Sequence, residues 1–372
     1  MSNDNEKQLC VVLAAGGTGG HIFPAEALAR ELVGRGVKVA LLTDKRGTNF
    51  SKDLSVDVYR IKASSFGYGF WGKIRSIIQM GLGVIQAALR LTKIAPDAVV
   101  GFGGYPSVPT VYAAAKMGIP ILLHDQNAII GRANQAMLGY AGVLATSFPT
   151  VSGVHAEDEY KLQYTGNPVR PAFTALRARP YPMIQDDESV IKILVLGGSQ
   201  GARVFSRTVP AAIALLPDKI KRRIVIAQQC RPEDIEAARY AFAAAGIDAE
   251  LSAFFNDVPE RMADYHLVIC RAGGSTVAEL STIGRPSILV PFPHGHAGEQ
   301  MANASFLAQN GAAWIIPDAA FTPEALVVRL ESVISNPESL AKAAASARAS
   351  AKVMAVDALA DAVVNLKSGI SR

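Results

Sequence analysis

The sequence contains little cysteine and no long run of apolar residues. Its three cysteines lie far apart, at Cys10, Cys230 and Cys270, without the paired spacing of a zinc site or a disulfide framework. We therefore expect a reducing compartment. Residues 1–8 are polar, and no stretch of about 18 uncharged apolar residues occurs, so neither a signal peptide nor a membrane-spanning segment is expected.

Charged residues are also sparse, since 19% of the chain is Asp, Glu, Lys or Arg and 50% is apolar. Together with 32 Gly and 20 Pro spread along the chain, this composition excludes a disordered, coiled-coil or collagenous protein. A length of 372 residues predicts two domains of about 150 residues or slightly more, with a cleft between them. The net charge of +5 gives no reason to expect a nucleic-acid partner.

Short apolar runs that end in glycine and lead into helical spacing recur throughout the chain. This alternation predicts an α/β fold with two parallel sheets, each covered by helices on both faces. In the first half, the predicted strands are residues 9–15, 37–42, 98–102 and 121–123, and the predicted helices are residues 24–33 and 108–117. In the second half, the predicted strands are residues 191–196, 224–227, 267–270 and 287–290, and the predicted helices are residues 233–245 and 276–283, with one or two more in residues 337–366.

Four prolines between residues 167 and 182 interrupt the alternation, and residues 191–201 then repeat the strand and glycine turn with which the chain opens. This break predicts a linker between two similar domains. We expect a first domain at residues 1–166, a linker at 167–189, a second domain at 190–350, and a terminal helix at 351–372 that caps the second domain or returns to the first.

Glycine turns follow four of the predicted strands, at residues 16–20, 101–104, 197–201 and 273–274. A glycine turn between a strand and a helix places backbone N–H groups at the positive end of the helix dipole, which suits a phosphate group. Any single turn has a simpler explanation as a tight connection. Four of them at the carboxyl ends of strands, where open α/β sheets bind ligands, predict a nucleotide site.

The common nucleotide signatures are not met, because the first turn lacks the Gly-x-Gly-x-x-Gly order and no Gly-x-x-x-x-Gly-Lys-Ser/Thr occurs. An NAD dehydrogenase and a P-loop ATPase are therefore disfavoured. Asp44, after the second predicted strand, is placed like the ribose-binding acid of a dehydrogenase, but a solvated turn residue is the favoured interpretation.

One carboxylate follows the last glycine turn. Glu279 lies three residues beyond Thr276, on the same side of the first predicted helical turn. A carboxylate there is able to accept hydrogen bonds from both hydroxyls of a ribose while the preceding amides bind a diphosphate. The alternative is a first-turn acid that complements the helix dipole.

Six segments, taken together, carry a resemblance to a known family. They are Gly16-Gly17-Thr18-Gly19-Gly20-His21 with Ile22-Phe23-Pro24, Gly101-Phe102-Gly103-Gly104-Tyr105, His124-Asp125-Gln126-Asn127, Gly166-Asn167-Pro168-Val169-Arg170, Gly197-Gly198-Ser199-Gln200-Gly201-Ala202-Arg203 and Arg271-Ala272-Gly273-Gly274-Ser275-Thr276. In their order, and over nearly the whole chain, they resemble the MurG family. Its members are membrane-associated bacterial transferases that move N-acetylglucosamine (GlcNAc) from UDP-GlcNAc onto undecaprenyl-diphosphoryl-muramyl-pentapeptide, lipid I, to form lipid II.

The resemblance implies a GT-B fold, in which two Rossmann-like domains hold the donor in the C-terminal domain and the acceptor at the N-terminal domain, with the reaction between them. It implies transfer to the C4 hydroxyl of the muramyl sugar during peptidoglycan synthesis. It also implies a peripheral position at the cytoplasmic face of the bacterial inner membrane, and partners among the proteins of cell-wall synthesis and division.

The resemblance assigns residues to each substrate. It implies that Ser199 and Arg170 meet the donor diphosphate, that Glu279 binds the ribose, and that the backbone of Phe255 contacts uracil. Thr276 is also assigned to substrate binding. The residues implied to contact the sugar are Thr18, Gly19, Gly20, Asn127 and Gln300, and those implied for the acceptor diphosphate are Gly103, Gly104 and Tyr105. Two positions depart from the family: Asp125 stands where many relatives carry Glu, and Glu299 where some carry Gln.

The reaction needs a base for the acceptor hydroxyl and charge stabilisation for the departing diphosphate. His21 carries a type of side chain that is able to take a proton, and it is one candidate base, with a hydrogen bond inside its loop or a contact to the acceptor diphosphate as the equal alternative. Asp125 is the second candidate, with a structural carboxylate bound to nearby amides as its alternative. A single base without a carboxylate pair predicts inversion, from the α-linked donor to a β-1,4 product.

No metal or other cofactor is expected. The loops contain no Asp-x-Asp pair, and Arg170, Ser199 and a helix N-terminus are able to take the place of an ion at the diphosphate. His294-Gly295-His296 with Glu299 is better explained as a polar loop near the sugar than as a metal site. We expect turnover to persist in EDTA.

Residues 58–96 contain no Asp or Glu but six Lys or Arg residues and several aromatics. The predicted helix at 74–91 has one face, with Ile74, Ile77, Ile78 and Ile85, that is explained as core. The residues beside it predicted to contact an anionic bilayer are Phe70, Trp71, Lys73, Ile74 and Arg75. A buried helix beside a solvated loop is the alternative, and a polyprenyl acceptor favours the membrane.

Competing functions are a different GT-B reaction on a UDP-sugar, including a UDP-GlcNAc epimerase, and a non-catalytic UDP-sugar-binding module. An epimerase needs no lipid surface, and a binding module would bind the donor without transfer. An NAD dehydrogenase is disfavoured by the glycine order.

Overall fold

The computed structural model describes residues 8–16, 19–45, 50, 54–64, 69–186, 188–198 and 203–366, with the side chains of Phe70, Trp71 and Lys73 outside this description. The chain divides into two compact units, residues 1–170 with 352–372 (unit 1) and residues 171–351 (unit 2). It therefore leaves unit 1 after Arg170 and returns to it at Lys352.

Unit 1 is built on a sheet in which seven described strands all pair in parallel. The strands are β1 (Cys10–Ala14), β2 (Lys38–Thr43), β3 (Asp57–Arg60), β4 (Ala98–Gly101), β5 (Ile121–Asp125), β6 (Val143–Thr146) and β7 (Leu162–Tyr164). The helices between them are α1 (Gly19–Gly34), α2 (Gly69–Ile94), α3 (Val108–Lys116) and α4 (Arg132–Met137). The strand order is β3-β2-β1-β4-β5-β6-β7, so the direction of winding reverses between β1 and β4.

Unit 2 repeats this arrangement with six described parallel strands in the order β10-β9-β8-β11-β12-β13. The strands are β8 (Ile191–Leu196), β9 (Ile224–Gln229), β10 (Ala249–Ser252), β11 (Leu267–Cys270), β12 (Ser287–Leu289) and β13 (Ala313–Ile315). The helices are α5 (Pro171–Ala175), α6 (Arg203–Leu215), α7 (Asp218–Lys221), α8 (Ile235–Ala244), α9 (Val258–Asp264), α10 (Gly274–Ile283), α11 (Glu299–Gln309), α12 (Pro323–Ile334) and α13 (Pro337–Ala349). Its switch point lies between β8 and β11.

The final helix, α14 (Ala355–Asn365), belongs to unit 1. Leu359 and Val363 of α14 are buried in the same core as Leu28 and Leu32 of α1. The apolar face of α14 is thereby removed from water against the domain with which the chain begins.

The central strand of unit 1 supplies both layers of its core. Val11 and Leu13 pack beneath α1, whereas Val12 and Ala14 pack on the opposite face with α2 and α3. Alternate side chains of a strand point to opposite faces, so a strand covered by helices on both sides must be apolar throughout. This is the run from which β1 was predicted.

The α/β class and the parallel sheets predicted from the sequence are confirmed. Strands β8 and β11 have the predicted bounds, whereas α1 begins at Gly19, five residues before the prediction, with Pro24 inside the helix. Strands β3, β6, β7, β10 and β13 were not predicted. The edge strands β3 and β7 are short and largely uncovered, so they lack the apolar run that marks a central strand.

Candidate functional site

Two glycine loops meet at the switch point of unit 1. The first follows β1, and a β-carbon added to Gly16 would lie 2.7 Å from Cβ of Pro106, in the loop after β4. In that second loop, Gly103 and Gly104 have φ of +80° and +70°, a conformation that L side chains rarely adopt. The glycines therefore allow a close approach of two backbones at the edge where parallel sheets bind ligands.

His21 lies in the first turn of α1, at the meeting point of these loops. A β-carbon on Gly104 would be 3.2 Å from both Nε2 and Cδ2 of His21. The other ring nitrogen, Nδ1, lies 2.7 Å from Oε1 of Gln126, which follows β5. Three loops that are distant in sequence thus converge on one imidazole, and the structure brings His21 together with the predicted acceptor residues Gly103 and Gly104.

Asp125 ends β5 and has both carboxylate oxygens occupied. Oδ1 accepts the N–H of Asn127 at 3.1 Å, and Oδ2 accepts the N–H of Gly131 at 2.8 Å and Nδ2 of Asn134 at 2.9 Å. Burial raises the pKa of Asp125, and these hydrogen bonds act in the opposite direction. The carboxylate holds together the loop after β5, an arrangement that favours His21 over Asp125 as the proton acceptor.

Asp44 is buried, so its interpretation as a solvated turn residue is wrong. It is 5% exposed, and its Oδ2 accepts the hydroxyl of Tyr105 at 3.4 Å. The loop after β4 covers the carboxyl end of β2, a tertiary contact that the sequence around Asp44 does not indicate. Tyr105, predicted to face the acceptor diphosphate, is therefore tied to the strand on the far side of β1.

Arg170 and the first turn of α1 also lie in unit 1. The guanidinium group of Arg170 stacks over the ring of Phe23, with 4.8 Å from its carbon to the ring centroid. Gly19 and Gly20 open α1, so they lie in its first turn, at the positive end of the helix dipole. The predicted residue Thr18 lies outside the described residues.

In unit 2, the loop between β11 and α10 forms the corresponding helix N-terminus. Gly273 caps α10, which begins at Gly274, and Thr276 lies in its first turn. Glu279 is 8% exposed and lies in the second turn, because the helix starts two residues earlier than predicted. The interpretation of Glu279 as a first-turn acid is therefore wrong. The predicted Ser199 lies outside the described residues.

Gln300, at the start of α11, joins two loops of this site. Its Oε1 accepts the N–H of Ala272 at 3.2 Å and the N–H of Phe292 at 3.0 Å. The NH2 group is then the part of the amide that can donate to a ligand. Sequence reasoning missed Asn303, which is fully buried and donates to the carbonyl of Ala272 at 3.0 Å. Its spacing of three residues from Gln300 on a helix was the available signal.

Phe255 is buried, and its ring packs against the guanidinium group of Arg261. The guanidinium group of Arg261 lies 4.2 Å from the centroid of its ring, and Arg261 in turn pairs with Glu250 and Asp257 at 2.6 and 2.8 Å. Phe255 is 5% exposed as a whole residue, so its ring is enclosed by the protein. No group of three or more His, Cys, Asp or Glu suited to a metal occurs among the described residues.

The face of α2 that was predicted to be buried in the core is exposed in the structure. Ile77, Ile78 and Ile85, assigned to the core from their spacing, are 62%, 56% and 59% exposed, and Ile74 is partly exposed. The buried side of α2 consists instead of Ser76, Gly83, Ala87 and Leu91. A β-carbon on Gly83 would lie 1.9 Å from the carbonyl oxygen of Lys62, so small residues are required where α2 packs, and the large isoleucines are left outside.

Of the described helices, α2 alone meets the length and composition of a membrane span, over Ile74–Ile94 with a mean hydropathy of 1.2. The sequence expectation, which required an uncharged run, did not identify it. Ala87 and Leu91 nevertheless belong to the core of unit 1, so one side of this helix packs on its own domain.

Comparison with known families gives matches in both units. Residues 11–145 match the model described as glycosyltransferase family 28 N-terminal domain, and residues 192–359 match the glycosyltransferase family 28 C-terminal domain. The UDP-N-acetylglucosamine–N-acetylmuramyl-(pentapeptide) pyrophosphoryl-undecaprenol N-acetylglucosamine transferase of Rhodospirillum centenum is 52% identical over 355 residues, 95% of this chain and 93% of the relative. The protein with the same name from Paramagnetospirillum magneticum is 51% identical over 358 residues, 96% of each chain.

Solved structures agree with these matches. MurG of Acinetobacter baumannii has a TM-score of 0.77 at 30% identity and covers 96% of this chain and 99% of its own. A UDP-GlcNAc 2-epimerase of Neisseria meningitidis has a TM-score of 0.65 at 12% identity, with 96% and 100% coverage, a likeness of fold alone.

Two doubly wound parallel sheets with glycine loops at their switch points, in a chain that matches both family 28 domains, define a glycosyltransferase of the GT-B fold class. Within that class, the chain belongs to the MurG family. The resemblance inferred from the six segments is confirmed.

Proposed function

We propose that this chain transfers GlcNAc from UDP-GlcNAc to an N-acetylmuramyl-(pentapeptide) pyrophosphoryl-undecaprenol acceptor. The relatives that carry this reaction in their names share about half of their residues with the chain over nearly its whole length. The site observation that carries the proposal is the position of His21 against Gly104 at the switch point of unit 1.

Unit 1 supplies the acceptor side. His21 takes the proton of the C4 hydroxyl on Nε2, the ring nitrogen that lies against Gly104, while the loop of Gly103, Gly104 and Tyr105 binds the acceptor diphosphate. General-base catalysis by a positioned histidine contributes about 10²–10⁴-fold. Asp125 shapes the loop that follows β5 and does not itself take the proton.

Unit 2 supplies the donor side. The first turn of α10 directs its N–H groups and the positive end of its dipole at the diphosphate, and Glu279 accepts from the ribose hydroxyls. The backbone at Phe255 binds uracil, and the NH2 group of Gln300 donates to a sugar hydroxyl. The remaining donor contacts are assigned to Arg170, Ser199, Thr276 and, at the sugar, Thr18, Gly19, Gly20 and Asn127.

The reaction follows a single displacement. The C4 oxygen forms a bond to the anomeric carbon as the bond from that carbon to the UDP oxygen breaks, the electron pair leaves with the diphosphate, and the hydroxyl proton goes to His21. One displacement inverts the configuration and gives a β-1,4 linkage. An α linkage in the product, seen by NMR, would contradict this step.

The proposal is tested by UDP release from UDP-GlcNAc with and without a lipid I analogue. We expect release only with the acceptor, and we expect His21→Gln to lower kcat by about 10²-fold or more while the dissociation constant for UDP stays within a factor of two. Epimerised sugar without acceptor would favour an epimerase. Donor binding without turnover on any lipid I analogue would favour a binding module.

We also propose that unit 1 binds the cytoplasmic surface of the inner membrane through the outer face of α2. That face presents Ile78, Leu82, Ile85 and Leu89, at 56%, 40%, 59% and 68% exposure, with the exposed Arg75 at one end and Lys93 at the other. These residues recur at three- and four-residue intervals and form one continuous stripe. An apolar stripe with flanking cations suits an interface of anionic lipid. The sequence assigns Phe70, Trp71 and Lys73 to the same surface, although their side chains lie outside the described structure. Partners among the proteins of cell-wall synthesis and division are part of this proposal.

A further inference from the structure

A chain of hydrogen bonds runs from the proposed base into the interior of unit 1. Nδ1 of His21 lies 2.7 Å from Oε1 of Gln126, and Nε2 of Gln126 lies 2.9 Å from Nδ1 of His124. At the far end, Nε2 of His124 lies 3.2 Å from the carbonyl oxygen of Gly166. His124 and Gln126 are buried, and the donor side of the reaction does not involve them.

The direction of every hydrogen bond in this chain follows from two backbone carbonyls. The amide atom of Gln126 that contacts Nδ1 of His124 also lies 3.0 Å from the carbonyl oxygen of His124. A carbonyl only accepts, so this atom must be the NH2 group, and its two hydrogens serve the carbonyl oxygen and Nδ1 of His124. The opposite atom is then the amide oxygen, and it accepts a hydrogen from Nδ1 of His21.

The hydrogen bond between His124 and Gly166 independently requires the same direction of donation along this series of hydrogen bonds. The carbonyl of Gly166 accepts, so Nε2 of His124 carries the hydrogen and Nδ1 of His124 is the unprotonated nitrogen. Burial lowers the pKa of His124 to about 4, so this ring is neutral near pH 7. A charged ring would carry a second hydrogen on Nδ1 and would oppose the NH2 group of Gln126.

We propose that Gln126, oriented by His124, is a positioning residue that holds His21 in the Nδ1–H tautomer, so that Nε2 keeps the lone pair that takes the acceptor proton. This inference rests on the proposed role of His21 as the base. Which nitrogen of a histidine is protonated is set by the hydrogen bond at the other nitrogen. After proton transfer, the imidazolium still donates from Nδ1 to Gln126, so the same contact serves both states of the base.

An amide in this position differs from the carboxylate that orients many catalytic histidines. A carboxylate beside an imidazole stabilises its charged form and raises its pKa, whereas the amide oxygen of Gln126 selects the tautomer without a full charge. Among the described residues, the titratable groups that interact electrostatically with His21 are His124, which is neutral, and Asp125, whose oxygens bind Asn127, Gly131 and Asn134.

The inference is tested with two substitutions at one position. Gln126→Glu keeps an acceptor for Nδ1–H of His21 but loses the two hydrogens that serve His124. At pH values where this carboxyl group is ionised, we expect the Nδ1–H tautomer to persist and the acidic limb of the kcat profile to move up by about one pH unit or more. Gln126→Met has similar length but no acceptor, so we expect a mixture of tautomers and a fall in kcat of about tenfold or more. A fully reversed tautomer in a serine protease costs about 10⁴-fold, which bounds the effect.

Tautomers are measured by the ¹⁵N shifts of the histidine-labelled full-length protein, with the His21 signals identified by their loss in His21→Gln. Gln135→Met is the matched control, because Gln135 is exposed on α4 and its side chain donates a hydrogen bond to the carbonyl of Gly153, away from His21. We expect its tautomers, kcat and UDP affinity to equal those of the unmodified protein.

An Nε2–H tautomer of His21 in the unmodified protein, or an unchanged tautomer and kcat in Gln126→Met, would overturn the inference. Failure of the proposed function has a different signature. If His21→Gln keeps full turnover while Gln126→Met shifts the tautomer, the positioning by Gln126 stands and the assignment of His21 as base is wrong.

Discussion

A β-carbon added to Gly166 would lie 2.6 Å from Cβ of Lys352. Gly166 lies shortly before the chain leaves unit 1, and Lys352 is the residue at which it returns, so the two passages of the chain pack together within that unit. Gly166 also has φ of +84°, and its carbonyl accepts the hydrogen bond from His124. Backbone conformation and lack of space both select glycine here.

The first prediction concerns Gly166→Ala. The left-handed conformation alone costs a non-glycine residue about 1–3 kcal/mol, and the contact with Lys352 adds to that cost. Gly36→Ala is the matched control, because Gly36 has φ of +77° but no atom within 4 Å of an added β-carbon. Urea denaturation should show a larger loss of unfolding free energy for Gly166→Ala. Equal losses would mean that the segment at Lys352 moves aside without lowering the free energy of unfolding, which would contradict the prediction.

The second prediction is a loss of stability in mild acid. Burial lowers the pKa of His124 in unit 1 and of His266 in unit 2 to about 4, against about 6.5 in an unfolded chain. Below pH 6.5 the unfolded chain gains a proton that the folded chain excludes, so stability is full above pH 6.5 and declines toward pH 4. Between pH 7 and pH 5 each histidine should cost about 2 kcal/mol.

This pH dependence is isolated with His266→Asn. Nδ1 of His266 accepts the N–H of Lys192 at 2.9 Å, and the amide oxygen of Asn is able to accept the same bond without titrating. Urea midpoints of unit 2 measured from pH 7 to pH 5 should therefore vary less in the variant. A pH dependence that is the same in both proteins would refute the role of His266.

The third prediction tests the proposed membrane face. Leu89→Asn removes an apolar side chain that is 68% exposed on α2, and Val328→Asn changes one of equal exposure on α12 in unit 2. Burial of one such side chain in lipid is worth up to about 1.5–3 kcal/mol, so Leu89→Asn should weaken binding to vesicles of anionic lipid by about tenfold. Val328→Asn should not weaken it.

Charge on the same face is tested separately. Arg75→Glu should weaken binding to anionic vesicles and leave binding to neutral vesicles unchanged, because each basic side chain near an anionic surface contributes about 1 kcal/mol. If Leu89→Asn and Arg75→Glu both bind like the unmodified protein, the outer face of α2 is not the membrane surface.

The fourth prediction tests whether Glu279 binds the ribose, as proposed, or whether its substitution only disturbs α10. Hydrogen bonds to a charged group contribute about 1.5–3 kcal/mol, so Glu279→Gln should weaken UDP binding by about 10–100-fold. The unmodified protein should prefer UDP to 2′-deoxy-UDP, and the variant should have lost most of that preference. Glu324→Gln, in the first turn of α12, is the control. An equal loss of affinity for both nucleotides would count against a ribose contact.

The site was predictable where local chemistry marks it. The glycines that follow β1, β4, β8 and β11, and a helix start within two residues of Thr276, were predicted from residue type and spacing, because strand ends and helix N-termini have local signatures. The role of His21 stays a prediction. Gln126 and Asn303 were missed, since each acts through a contact with a loop that is distant in sequence. Gln126 carries no local pattern that distinguishes it from an ordinary polar residue, and Asn303 is marked only by its spacing of three residues from Gln300.

Helix α2 shows most clearly that a local pattern does not determine which face of a helix is buried. Its isoleucine spacing identifies an amphipathic helix, but the stripe that packs is the one with Gly83 and Ala87, because the backbone at Lys62 comes too close for a larger residue. Asp44 was misinterpreted for a related reason, since Tyr105 covers it from another loop.

Apolar runs and glycine turns are patterns of neighbouring residues, so the α/β class, the family and the order of the central strands and helices could be predicted from the sequence alone. Which face of α2 is buried, which carboxylate is enclosed and which nitrogen of His21 is protonated depend on backbone groups brought together from distant positions. Such contacts exist only after the chain has folded, and they decided the protonation of His21 and the outward face of α2.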